Sequence, residues 1–178
     1  MEDDRLTLIA EIVRRCAQRN CNLGKIQLQK MVYFLQESCS DLGYTFVIFH
    51  YGPFSFDLAE DIERLNTLRI LHIEKDDAGY GYHITPGVHC GVLTDTNKDP
   101  IIAHDQSLNV ILDSFGTMTA SAIELSATIH YVHSVLRDRT ESYTLDEVKL
   151  AVRELKPQFT TDQIAQAMAD LPAPFALT

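Results

Sequence analysis

The sequence predicts a mainly α chain with a small antiparallel β element, arranged as a winged-helix-like N-terminal half followed by a helical C-terminal half packed on one core. Three observations carry this. Apolar residues recur at helical spacing through most of the chain, aromatic and β-branched residues concentrate at 44–51 and again at 70–85, and glycine, proline and capping residues punctuate the segments between. At 178 residues the chain has the size of one domain that buries roughly 70% of its extended surface. Its 46% apolar and 22% charged content is that of a globular protein, so the whole chain should fold.

Leu6, Ile9, Val13 and Cys16 follow Asp3-Asp4, carboxylates suited to a helix start, and predict a first helix over 4–19. Asn22 is a candidate cap for a second helix over 24–40, whose stripe is Leu28, Met31, Val32, Leu35 and Cys39 and whose end is Asp41-Leu42-Gly43. Tyr44 to Tyr51 reads as a short strand or extended arm stopped by Gly52-Pro53. Ser55 caps a third helix that buries Leu58, Ile62 and Leu65 and finishes near Thr67. Ile70 to Glu74 and Tyr80 to Thr85 form the strands of a hairpin about the turn Lys75 to Gly79. Three helices and a hairpin are the outline of a winged helix, closed at Gly87, so that 1–87 and 88–178 are the two halves of one continuous domain.

From Val88 to Pro100 no period is sustained, and a connector is expected. Beyond it Leu108, Ile111, Leu112 and Phe115 mark one helix, and Ala122, Leu125, Ile129, Val132 and Leu136 a longer one, with Ser121 and Glu124 fitting a capping box. Thr144 and Glu147 repeat that signature ahead of Leu145, Val148, Val152 and Leu155, and Pro157 halts the helix. A last helix over 161–170 ends at Leu171-Pro172-Ala173-Pro174.

The net charge is −10, with nine basic against 13 acidic residues up to Gly87 and six against 12 after it. Nucleic-acid affinity comes largely from basic side chains displacing counterions, so nucleic acid is an unfavourable partner and a protein partner is expected. The third helix makes the same point, because its outward positions, Asp57, Glu60, Asp61, Glu63 and Arg64, put mostly carboxylates where a recognition helix meets phosphates. The acidic N-terminus and the lack of an apolar run near the roughly 18 residues needed to span a bilayer predict a cytoplasmic protein with no membrane partner. Cys16, Cys21, Cys39 and Cys90 show no C-x-x-C spacing and are expected as reduced thiols.

No motif points to catalysis. There is no nucleophile elbow and no phosphate-cradling loop, since Gly24-Lys25 lacks the preceding glycine and strand of a P-loop. His130 and His133 stand one turn apart but lack further ligands, His72 and His83 are expected as cross-strand neighbours, and His83, His89 and Cys90 are a second grouping that could meet near the wing. No metal and no cofactor are expected, and the chain is not expected to be an enzyme.

The run Gly24-Lys25-Ile26-Gln27-Leu28-Gln29-Lys30-Met31-Val32-Tyr33-Phe34-Leu35-Gln36, followed by Tyr44-Thr45-Phe46 and His50-Tyr51-Gly52-Pro53-Phe54-Ser55, resembles the YwgA-like family of uncharacterised bacterial proteins and, more distantly, the Panacea domain. The likeness is strongest over 23–66, and the downstream helices match in general pattern. The Panacea resemblance, which includes SocA-like antitoxins, implies a protein that binds another protein without catalytic groups of its own. An antitoxin-like or adaptor-like binding module is therefore the first expectation, and a winged-helix regulator binding DNA as a dimer is the alternative. Lys30, Gln36, Tyr51 and Ser55 are motif members that a core does not require, and they join Asp57, Glu60 and Asp61 as candidate contacts for a basic partner.

Overall fold

The computed structural model describes residues 2–39, 42–76, 81–139 and 142–177. Apolar residues at helical spacing produce α1 (Glu2–Gln18) and α2 (Lys25–Cys39). Asn22 does not cap α2, because its side-chain oxygen meets His83 Nδ1 at 3.0 Å. Gln27 bends back there instead, and its Oε1 accepts from the Gly24 N–H at 3.0 Å. Gly43 adopts the left-handed φ of +82° expected of it, and residues 40 and 41 lie outside the described set.

The segment expected as one strand or arm is a tight hairpin: β1 (Val47–Phe49) pairs antiparallel with β2 (Gly52–Phe54). Gly52-Pro53 does not stop the strand but opens the second one, and Pro53 is tolerated because a two-stranded sheet has only edge strands. Next comes α3 (Phe56–Thr67), capped by Ser55, whose side chain accepts from the Leu58 N–H as expected. A second hairpin, β3 (Leu71–Lys75) with β4 (Tyr82–Pro86), follows. His72 is opposite Thr85 and His83 opposite Glu74, so the two histidines are diagonal rather than directly paired.

The expected connector is helical in part, with α4 (Cys90–Thr96) and α5 (Asp99–Ala103). Both are too short to show a period, and Pro100 occupies the first turn of α5, where its missing N–H costs nothing. Then come α6 (Asp105–Phe115), α7 (Ala120–Arg139), α8 (Leu145–Leu155) and α9 (Thr161–Ala169). The capping box expected at Ser121 and Glu124 does not form. Thr119 Oγ1 accepts from the Ala122 N–H, and Glu124 turns inward from α7. The box at Thr144 and Glu147 is present, and Thr160 with Gln163 makes another ahead of α9.

Buried apolar residues form two clusters. The larger unites α1, α2, α3 and both strands of the second hairpin with Leu108, Ile111, Leu112 and Phe115 of α6, Ile123 and Ala127 of α7, and Phe175. The smaller is built from Leu125, Ile129 and Val132 of α7 with Val148, Val152, Ile164 and Leu171. The clusters thus divide along α7 and not at Gly87, because successive faces of one long helix look in two directions. Phe175 arrives on a 3-10 turn (Ala173–Phe175) after the prolines that end the helical run, and packs 4.7 Å from Phe34 and 5.6 Å from Phe115, centroid to centroid. The molecule is mainly helical, with two small antiparallel sheets of two strands each. No helix among the described residues is long and apolar enough to cross a membrane.

Candidate functional site

The β1–β2 hairpin lies against α7, and glycine at 52 makes this possible. Gly52 has a φ of +84°, and a Cβ there would sit 2.6 Å from Thr128 Oγ1 and 3.4 Å from the Glu124 carbonyl oxygen. Strands this short cannot hold a position by themselves. Buried side chains clamp their backbone instead. Lys30 of α2 donates to the Pro53 carbonyl at 2.8 Å, and Lys156, which follows α8, donates to the His50 carbonyl at 2.7 Å. Gln29 closes the seam with both ends of its amide, donating to the Ser55 carbonyl and accepting from the Ser55 N–H.

Glu124 lies beneath this hairpin and accepts from Lys156 at 2.6 Å. The three charged residues are nearly inaccessible: Lys30 is 1% exposed, Lys156 2% and Glu124 7%. Burial pulls the Lys30 ammonium down to about 8, with Glu124 opposing that shift and Lys156 adding to it. Glu124 is thus bonded to Lys156, and Lys30 feels both charges across the same poorly solvated space.

Outside this cluster a pocket of about 360 Å³ opens between α2, α3 and the hairpin, with Ile26, Lys30, Phe49, Phe54, Ala59 and Ile62 among its lining residues. Beside its mouth stands a cluster of aromatic rings. Phe54 and Phe56 meet edge to face at 5.0 Å, Phe49 lies 5.6 Å from each, and His50 packs on Phe49 at 4.3 Å. Phe49, Tyr51 and Phe56 are all exposed, the last two at 57%. Apolar rings this open are uncommon except at interaction surfaces. At the rim Lys25 pairs with Glu63 at 2.5 Å and lies over the Tyr82 ring.

The candidate contacts separate into surface and interior. Tyr51, Asp57 and Glu60 are exposed and share the hairpin and α3. Lys30, Ser55 and Asp61 are buried, and the expectation that they face a partner directly is corrected. Lys30 is a strut of the hairpin and part of the pocket wall, Ser55 is consumed in capping α3, and Asp61 turns inward to Arg5 at 2.9 Å and accepts from Tyr44 Oη at 2.8 Å. Gln36 is half-buried, and its amide both donates to and accepts from the backbone of Tyr44, so it too serves the fold.

His130, His133 and His83 have structural partners. His130 Nδ1 meets Tyr33 Oη at 2.8 Å and His133 Nε2 meets Tyr143 Oη at 2.7 Å. Burial, reinforced by His133 and Arg137, pulls His130 down to about 4, so it is neutral at ordinary pH. Burial also pushes the Tyr33 phenol upward, so the Tyr33–His130 contact joins two neutral groups. His83 is bound to Asn22, while Cys90 is buried with its thiol directed at the Ala10 carbonyl. Among the described residues no three His, Cys, Asp or Glu side chains gather as a metal would require. Cys16, Cys21 and Cys90 are free thiols, and the side chain of Cys39 lies outside the described set.

Phe49, Phe54 and Phe56 were legible only as strand and helix-start residues, and Glu124 and Lys156 gave no local sign of burial. The one signal available was the density of aromatic residues from Tyr44 to Phe56, which marks an aromatic surface as readily as a strand. No protein-family model matches the chain, and no curated protein matches it.

Proposed function

We propose that this chain is a non-catalytic protein-binding module, antitoxin-like or adaptor-like, which holds a basic partner through the aromatic face of its first hairpin and the acidic edge of α3. The observation that carries the reading is the aromatic cluster of exposed Phe49 and Phe56 about the half-buried Phe54, with exposed Tyr51 beside it, flanked by the exposed carboxylates of Asp57 and Glu60. Aromatic anchors supply binding energy once water is excluded, whereas a ring of charge selects the partner and speeds the encounter. The net charge of −10 acts in the same direction. The more distant Panacea resemblance, carried by the run up to Gly52-Pro53, adds a precedent for protein capture and supports the antitoxin-like reading. A winged-helix regulator that binds DNA remains the competing reading, but the exposed carboxylates of α3 would stand against phosphates.

The test is capture from extract of the source cells, with the parent, Tyr51→Ala, the pair Asp57→Lys and Glu60→Lys, and a control Leu150→Ala on α8. A specific protein should be retained by the parent and by the control. Tyr51→Ala should weaken its binding by about 2 kcal/mol, mainly through faster dissociation. The charge reversal should slow association and remove most of its salt dependence. Retention of the same protein by all four forms with unchanged kinetics, or retention of none, sinks the proposal.

A further inference from the structure

The pocket beside the aromatic face is lined in part by Lys30, a buried lysine whose ammonium donates to the Pro53 carbonyl. The pocket's volume of about 360 Å³ is within the range of small-ligand sites. Its lining is mostly apolar, with Ile26, Phe54, Ala59 and Ile62 forming the body of the wall. The polar groups on it are largely committed. Lys25 and Glu63 neutralise one another at the rim, and the Gln29 amide is held at both ends by Ser55. Lys30 differs. Of its three N–H donors the Pro53 carbonyl takes one, and the nearby charges are Glu124, already bonded to Lys156, and Lys156 itself. Two cations to one anion leave an excess positive charge beside an apolar space, where charges are ordinarily paired.

We propose that this pocket binds a small amphipathic monocarboxylate, with its apolar body among Ile26, Phe54, Ala59 and Ile62 and its carboxylate balancing the Lys30, Glu124 and Lys156 cluster. An alcohol of the same shape would fill the apolar wall and leave the charge excess standing. An amine of the same shape would add to it. The acid is therefore the member of such a series that the pocket selects. Bound there, the carboxylate would also raise the Lys30 ammonium from its lowered position, since an added anion favours the charged form. The other groups around it are Glu124 and Lys156 on one side, Lys25 and Glu63 at the rim, and the His50 ring of the hairpin. This inference is independent of the protein-binding reading, because its ligand is a free small molecule.

The experiment uses octanoate as the probe, with octanol and octylammonium as matched controls, by calorimetry and by NMR of the Lys30 side chain. Octanoate should bind with one-to-one saturation and octanol at least about tenfold more weakly, as expected when a hydrogen bond to a charged group is lost. Octylammonium should show no saturable binding. Lys30→Met should erase the preference for acid over alcohol. Ala59→Phe, which fills the pocket and leaves the lysine in place, should abolish octanoate binding. If Lys30→Met does not fold, the parent protein decides, because octanoate should lift the titration midpoint of Lys30 by roughly one pH unit or more. Equal affinity for octanoate and octanol, absence of saturable binding, undiminished binding to Ala59→Phe, or an unmoved Lys30 titration would each overturn the proposal. A chain that binds octanoate but captures no protein keeps this inference and loses the previous one, and the reverse outcome separates them equally well.

Discussion

Lys156 and Glu124 illustrate how one side chain's destination governs a site. Lys156 follows the last residue of α8, a place where a lysine ordinarily extends into water, yet its ammonium joins Glu124 at 2.6 Å and the His50 carbonyl at 2.7 Å. Removing one member of a buried pair leaves the other charge desolvated and unanswered, which is costlier than removing both. Glu124→Leu should therefore destabilise the protein by about 3–5 kcal/mol, because Lys156 and Lys30 both lose their carboxylate. The double change Glu124→Leu with Lys156→Met should recover part of that loss, since Lys30 is still left without an anion, and urea unfolding of the two single variants and the double variant measures the coupling. Additive losses would show that the pair is not coupled. The same reasoning covers Lys30 and Asp61, polar residues that composition assigns to the surface and that specific acceptors and cations draw inward.

At the scale of elements, the first hairpin is the least self-sufficient piece of the fold and the one on which both proposed surfaces depend. Its three-residue strands are held by Lys30, Lys156 and Gln29 from outside and by close approach to α7 at Gly52. Gly52→Ala meets two obstacles: a φ of +84° that costs a side-chain-bearing residue about 1–2 kcal/mol, and a contact of 2.6 Å with Thr128 Oγ1. The variant should lose more than the backbone cost alone and should show faster amide exchange across 47–54. Adding Thr128→Ala should relieve the contact but not the backbone cost, so recovery should be partial. Full recovery in the double variant, or no loss in the single one, would show that the hairpin does not need this close seat. The helix boundaries were simpler. The boxes at Thr144 and Thr160 form within one turn, but at the start of α7 Thr119 and Ser121 offer competing hydroxyls and Glu124 has a better partner in Lys156.

Across the whole molecule, α7 is the member common to both apolar clusters, with Ile123 and Ala127 facing one and Leu125, Ile129 and Val132 the other. Phe175 ties the end of the described chain back to the first cluster, where Phe34 and Phe115 stack at 4.2 Å and His130 completes the aromatic set. Truncating such a ring leaves a cavity that the surrounding helices cannot close fully. Phe175→Ala should cost about 3–5 kcal/mol. Because α7 links the clusters, near-ultraviolet and far-ultraviolet dichroism should report a single, coincident transition in urea for the parent and the variant. A loss below about 1 kcal/mol would show that the tail's ring is peripheral to the core.

From the sequence alone came the helical class, the third helix with Ser55 at its start, the second hairpin, the Thr144 box and an acidic third-helix edge at Asp57 and Glu60. Each of these depends on residues within a few positions of one another, whose periodicity, capping or turn chemistry is legible without knowing the remainder of the chain. Tertiary structure alone decided which polar residues lie inside, how the first hairpin is formed and where the pocket opens. The reason is separation along the chain: Lys30 finds its acceptor 23 residues away and Lys156 finds Glu124 at a distance of 32. No local pattern distinguishes a lysine that will be solvated from one that will be buried, because the deciding partner is brought to it only when the helices pack.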